Sequence, residues 1–326
     1  MPNKTSIQWT NYSTNPIRPV EGWWGCSKVS DGCLRCYAER LNLRFGNRRE
    51  FKGRWQFKLD QKELSAWAKI PSDSKVFVED MGDLFHGDMP WELILPVFEA
   101  MLYRPDLTFQ LLTKRPGRMA YFAEKVWPMI AEAGAAWPSN VWAGTSVETQ
   151  KYARRLDCLA RVPAKVRFVS VEPMLEPVDL RSYFFKCSGK CTPTVDNPIC
   201  NCKGYNIGWV ICGGESGPGA RSMHPDWARS LRDQCQAAGV PFFFKQWGTW
   251  LPVHEVSFGD ITSCVGYERV GKKAAGALLD GRGLCPTIRQ NRPFIGQLPL
   301  LPEYSRRPSH SHSARKSAPD QAHRLS

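Results

Sequence analysis

Lys75-Val76-Phe77-Val78-Glu79-Asp80-Met81-Gly82-Asp83 decides how the rest of the chain is read. Its first half is a compact β-branched and aromatic run of strand length. Its second half is acidic and interrupted by Gly82, so a strand ends there in a polar loop. Asp88-Met89-Pro90 then places a proline just inside a helical pattern running from Trp91 to Tyr103, where the missing N–H costs little. Strand, polar loop and helix together make one βα unit.

Working outward, the unit repeats. Leu107 to Leu112 reads as a buried strand and Arg118 to Ala133 as a helix, with Phe122, Val126 and Ile130 at spacing four. Val141-Trp142-Ala143 is a strand and Thr149 to Arg161 a helix. Val166 to Val171 and Trp209 to Cys212 are further strands. Pro225 to Ala238 is a helix stopped by Gly239, and Val240 to Phe244 closes the series. Short strands alternating with helices imply an α/β fold on a parallel sheet, either a barrel or doubly wound. Polar groups follow every strand: Glu79 to Asp83, Thr113-Lys114-Arg115, Gly144-Thr145-Ser146, Glu172-Pro173, Gly213 to Gly217 and Lys245-Gln246-Trp247. Parallel βα folds carry their chemistry at the carboxyl ends of the strands, so these groups are expected to line one mouth.

Upstream of the series, residues 1–25 read as short and turn-rich, with Trp9, Trp23 and Trp24 leading into Gly25-Cys26-Ser27-Lys28-Val29-Ser30-Asp31-Gly32-Cys33-Leu34-Arg35-Cys36-Tyr37. Tyr37 to Leu43 reads as a short helix with Leu41 on its apolar side. The C-x6-C-x2-C spacing lets three thiols converge on one inorganic centre. Three ligands leave a position open for a substrate or cofactor, whereas a structural zinc needs a fourth from elsewhere in the chain. Spacing alone leaves both readings open.

The 326 residues suffice for one large or two ordinary domains, and 42% apolar with 23% charged content is that of a globular protein. No run approaches the length of a membrane span, and the N-terminus has no signal-like apolar stretch, so a cytosolic protein with no membrane partner is expected. Twelve cysteines in so long a chain favour thiolate ligands in a reducing compartment over a disulfide scaffold. Cys158, Cys212 and Cys235 lie in apolar periodic settings and read as core thiols. Net charge is +13, of which the tail from Ser305 carries five basic residues against one acidic, leaving +9 on the body. Lys28 to Lys69 holds eleven Lys or Arg against five Asp or Glu, with Phe45, Phe51, Trp55, Phe57 and Trp67 interleaved. That composition suits phosphate contact plus base stacking, and equally a solvated basic face over an aromatic core.

Between residues 185 and 206 the rhythm stops for Cys187-x3-Cys191 and Cys200-x-Cys202, which reads as a small zinc knob or a reduced, metal-free insertion. The body is read as one domain over 1–284. Residues 285–326 form an irregular basic tail whose composition predicts disorder.

Asn15-Pro16, the three-cysteine stretch through Glu39, Asp83-Leu84-Phe85-His86, Leu112-Thr113-Lys114-Arg115-Pro116, Val169-Ser170-Val171-Glu172-Pro173-Met174, Gly213-Gly214-Glu215-Ser216-Gly217 and Phe244-Lys245-Gln246-Trp247-Gly248 occur in this order along the chain. Together they resemble the phage Gp37/Gp68 family of three-cysteine proteins, which looks like a branch of the radical S-adenosylmethionine superfamily. The resemblance spans roughly residues 6 to 281, and it departs from the usual superfamily pattern in the six-residue first gap. It implies a partial (β/α) barrel of parallel strands, with a [4Fe-4S] cluster on Cys26, Cys33 and Cys36. S-adenosylmethionine would occupy the fourth iron, and an external donor would supply the electron that releases a 5'-deoxyadenosyl radical. By the same resemblance Tyr37 serves the adenine region. Glu79 to Asp83 contact the cofactor's amino group, and Thr145, Glu172 and Glu215 hold ribose, carboxylate or substrate. The implied substrate is DNA or a modified nucleotide in the host cytoplasm, with a radical step that moves an amino acid on the thymine 5-methyl from nitrogen to carbon linkage. The alternatives are a DNA-repair radical enzyme resembling spore photoproduct lyase and a non-catalytic, zinc-bearing DNA-binding protein.

Overall fold

A computed structural model describes residues 2–21, 25–45, 54–130, 136–184, 204–258 and 261–284. Cys187, Cys191, Cys200, Cys202 and the tail from residue 285 lie outside them. Eight strands form the central sheet, in the order β1 (Asn3–Lys4), β2 (Tyr12–Thr14), β3 (Lys75–Val78), β4 (Thr108–Thr113), β5 (Val141–Ser146), β6 (Arg167–Val171), β7 (Ile207–Gly213) and β8 (Phe242–Gln246). β1 pairs antiparallel with β2, and every other neighbouring pair is parallel. Spatial order equals chain order, so successive crossovers of one hand return the helices to the same face. That is the winding of a partial (β/α) barrel, and it excludes the doubly wound alternative.

The side chains divide accordingly. The convex face packs against α2 (Trp91–Leu102), α3 (Pro116–Tyr121), α4 (Arg155–Leu159) and α5 (Pro225–Ala237), with Ile94, Phe98, Leu156, Leu231 and Cys235 meeting Val76, Phe109, Val169 and Val210. A second core of Trp9, Phe77, Trp142, Phe168, Trp209, Ile211 and Phe243 contains no helical residue and fills the concave face. Fully burying a ring such as Phe168 contributes roughly 1.5–3 kcal/mol. Gly144 makes room for it, because a Cβ there would fall inside the Phe168 ring. Strand side chains alternate faces with period two. Two and four residues beyond this cluster the same face therefore presents Ser146, Ser170, Glu172, Gly213 and Lys245, and Lys114 lies two beyond Leu112, which packs against the cluster. An aromatic floor lies beneath a charged rim.

Several expectations are corrected. Residues 1–25 are more than turns: Tyr12-Ser13-Thr14 joins the parallel sheet beside β3, with Tyr12 opposite Val76 and Thr14 opposite Val78. Three residues are too few to show a period, and the strand exists because its neighbour supplies the ladder. The helix read from Arg118 starts at Pro116, with proline in its first turn, and continues through a π-helical turn, Phe122–Val126, into Trp127–Ile130. The helix read over 149–161 is a 3-10 turn at Gln150–Tyr152 followed by only Arg155–Leu159, and Gln150 N–H at its start donates to Glu176 Oε1 at 2.7 Å. Cys212 and Cys235 are core thiols as expected, whereas Cys158 is only half-buried. Trp67 belongs to the convex core and is buried, while Phe57 packs against that core and is half-buried.

Candidate functional site

The three-cysteine loop lies across the carboxyl ends of the strands and is tied to several of them. After β4, Arg115 donates to Ser27 O at 2.9 Å and Ser27 Oγ at 2.8 Å, while its other nitrogen is 2.8 Å from Asp83 Oδ2. After β5, Glu148 accepts from Ser30 Oγ at 2.6 Å. After β7, Glu215 pairs with Arg35 at 3.5 Å, Arg40 donates to Ser216 O at 2.9 Å, and Arg221 donates to Asp31 O at 3.1 Å. After β3, the Tyr37 hydroxyl donates to Asp80 O. Close approach also requires small residues: a Cβ on Gly32 would fall 2.6 Å from the Glu148 carboxylate, and one on Gly217, at φ 101°, would overlap the Arg40 guanidinium.

Glu148 is the hub of this arrangement. Its carboxylate is fully buried, with Lys114 Nζ at 3.1 Å and Arg155 Nη1 at 2.9 Å. Burial alone would raise its pKa, but the two cations outweigh that and hold it below the usual carboxylate range. Cys33 Sγ lies 3.4 Å from Ser30 Oγ. The single Ser30 proton is directed to Glu148, so any hydrogen in that contact comes from the thiol. Cys26 Sγ sits 3.9 Å from Arg115 Nη1. The residue as a whole is exposed, yet desolvation of the sulfur, assisted by Asp83, pushes its thiol up to about 11.

The expected cofactor residues separate into two groups. Asp83 accepts from Thr113 Oγ1 at 2.6 Å, from Phe85 N and from Arg115, so it anchors the loop's arginine. Glu215 is held by Arg221 at 2.5 Å and by Arg35. Glu79 is buried and accepts from Ile17 N at 2.8 Å, with its pKa pushed well above the usual range by burial. Thr145 is wholly buried and donates to Thr113 O. These four face protein groups. Tyr37 and Glu172 face the mouth. Tyr37 keeps 47% of its surface exposed while its hydroxyl is sunk in the rim, where burial pushes it well above its ordinary value. Glu172 is 3.0 Å from Lys245 Nζ and accepts from Ser170 Oγ at 3.2 Å. The pair spans β7 because Gly213 has no Cβ to meet Glu172 Oε1.

Sequence reasoning missed Glu148, Arg35, Arg40, Arg221 and the roles of Lys114, Arg115 and His86. Two of the resemblance motifs contained Arg115 and His86 but assigned them no contacts. The signal for Glu148 was its place two residues beyond Ser146, on the inward phase of β5.

Ser27, His86 and Asp88 superficially suggest a hydrolytic triad, with Ser27 Oγ 2.7 Å from His86 Nε2. However, Asp88 N–H donates to His86 Nδ1 at 3.1 Å, which leaves the proton on Nε2 and directs it at Ser27. This tautomer cannot accept the serine proton, and burial holds the imidazole neutral by pushing its pKa down to about 4.

Cys26, Cys33 and Cys36 are free thiols on one loop, and Cys26 lies within electrostatic reach of Cys33. Among the described residues no three His, Cys, Asp or Glu side chains converge as a single ion requires. Three thiols on one loop are a donor set of the kind that iron–sulfur clusters take.

Residues 4–286 match the family described as a protein of unknown function, DUF5131. The chain belongs to that family. No curated protein matches this DUF5131 chain. A solved structure, spore photoproduct lyase complexed with dinucleoside spore photoproduct, is similar at TM-score 0.40 and 10% identity, over 73% of this chain and 75% of that one. A likeness that loose carries nothing about chemistry. No helix among the described residues is long and apolar enough to cross a membrane.

Proposed function

We propose that this protein is a radical S-adenosylmethionine enzyme acting on DNA. The observation that supports this reading is the three-thiol loop tied over the carboxyl mouth of a partial (β/α) barrel, with no fourth thiol beside it among the described residues. Cys26, Cys33 and Cys36 would hold a [4Fe-4S] cluster, which with S-adenosylmethionine supplies one-electron cleavage of a sulfonium and hydrogen abstraction from an unreactive carbon. Arg115 and Glu148 fix the two ends of the loop, so the thiols keep their places as substrate enters. Tyr37 presents an anchored ring at the rim. Glu172 and Lys245 set opposite charges side by side on the rim of the mouth, where an amino acid's ammonium and carboxylate would find complementary partners.

The finer reading follows the likeness to the phage Gp37/Gp68 proteins. Its substrate is a hypermodified thymine, and its reaction moves an amino acid on the 5-methyl from nitrogen to carbon linkage. The +9 body charge supports a polyanionic substrate. Anaerobic reconstitution tests the chemistry. Roughly four irons per chain, a brown chromophore and 5'-deoxyadenosine on reduction are expected, and two zincs without cofactor cleavage would overturn it. Nucleoside mass spectrometry of DNA carrying amino-acid-modified thymine, before and after treatment, tests the substrate.

A further inference from the structure

The helix that follows the third thiol, α1 (Tyr37–Phe45), is an unusual surface element. Of its nine residues only Ala38 is buried. Leu34, in the turn before it, is 59% exposed, and Tyr37, Leu41 and Phe45 are 47%, 37% and 52% exposed. Spacings of four put Tyr37, Leu41 and Phe45 on one ridge of the helix, with Leu34 just before its start. The ridge begins between Cys33 and Cys36, at the mouth itself.

Charge selects the occupant. The acidic residues of this stretch are already neutralised, Asp31 by Lys151 at 2.6 Å and Glu39 by Lys28 at 3.0 Å. Arg40 bonds to the neutral carbonyls of Ser216 and Pro218, and Arg44 lies over the Phe45 ring at 5.0 Å. The ridge is therefore apolar and aromatic with a net positive border. A second copy docked on it would bring two positive borders together. An unpaired nucleic-acid strand supplies what is missing: base faces for rings, leucines and a guanidinium plane, and phosphates for the arginines. A paired duplex hides its base faces and does not fit.

We infer that the Leu34–Phe45 ridge is a docking platform for an unpaired nucleic-acid strand, delivering one nucleotide to the mouth beside it. This rests on the proposed function only for why a strand should be delivered there. The binding itself needs neither cluster nor S-adenosylmethionine.

The test is fluorescence anisotropy of a labelled single-stranded DNA oligonucleotide titrated with the full-length protein as purified, without added cofactor, across a salt series. Single-stranded DNA should bind more tightly than the matching duplex. Leu41→Asp should weaken it about tenfold, and Arg44→Gln should reduce the log–log salt slope by about 0.7. Tyr103→Ala, which removes an 83% exposed ring just after α2, should change neither. Thermal melts confirm that each variant folds. The platform is overturned by the absence of single-strand binding at low salt, by tighter binding of duplex, by equal effects of Tyr103→Ala, or by self-association that Leu41→Asp abolishes. A protein that binds the strand but assembles no cluster would instead overturn the proposed chemistry and leave the platform standing.

Discussion

Replacing Glu148 with alanine should destabilise the fold and release the cysteine loop together. The carboxylate is fully buried against Lys114 at 3.1 Å, Arg155 at 2.9 Å and Ser30 at 2.6 Å. Removing it leaves two cations without their shared anion, and breaking a buried pair in this way costs about 3–5 kcal/mol. That exceeds the roughly 1.5–3 kcal/mol of the Ser30 hydrogen bond to a charged carboxylate, so uncompensated charge is the larger effect. Urea unfolding at pH 7 measures the loss, and reaction of Cys33 with a thiol reagent reports the loop. In the Lys114→Met background the penalty should shrink by about 0.5–3 kcal/mol, because one stranded cation is gone. The pH dependence follows the same sign. Glu148 has a depressed folded pKa, so its contribution is complete above the unfolded carboxylate value and is lost as pH falls through the folded one. A loss below about 1 kcal/mol, or a Cys33 reactivity that does not move, would refute the assignment of Glu148 as the hub.

Three further outcomes are expected. His86 titrates near 6.5 when unfolded and at about 4 when folded, so only the unfolded chain binds the proton between those values and stability should fall, by up to about 3 kcal/mol, on acidification across them. A pH–stability curve of His86→Gln with the same slope as wild type would contradict this. Gly214→Ala sets a methyl on the Trp247 carbonyl, where the loops after β7 and β8 cross through Gly214 N→Gln246 O and Thr249 N→Glu215 O, both 2.9 Å. It should lower stability by roughly 1–3 kcal/mol, whereas Gly87→Ala, with open space around it, should be near neutral in the same melts. Under the proposed function Cys33→Ala abolishes cluster assembly and Cys200→Ala leaves it. Equal iron loss in both variants would show that the cysteines were sorted wrongly.

The parallel strands were legible because they are short and rich in β-branched and aromatic residues, as Val76-Phe77-Val78 and Val166 to Val171 are. Tyr12–Thr14 was not, since its strand character comes from β3 alongside it. At the mouth, sequence identified most of the polar residues but not their partners. Whether Asp83 or Glu215 is open to a ligand depends on Arg115 and Arg221, which reach them across a loop or from another strand. Lys114 meets Glu148 only because β4 and β5 align Thr113 with Thr145, a register that no local pattern encodes. Burial within the basic, aromatic stretch was hidden for a related reason. Aromatic content between Lys28 and Lys69 does not reveal that Trp67 turns inward while Tyr37 stays at the rim.

An incomplete barrel lacks the last ladder of hydrogen bonds that would hold its staves in a curve. Here a short loop works as a tie-bar across the open end, pinned near β3 through Tyr37, near β4 and β5 through Ser27 and Ser30, and near β7 through Arg35 and Arg40. The segment that carries the thiols thereby also sets how far the sheet opens. A group bound to that loop would be sensed by strands it never touches, and any change in sheet curvature would alter the spacing of the thiols.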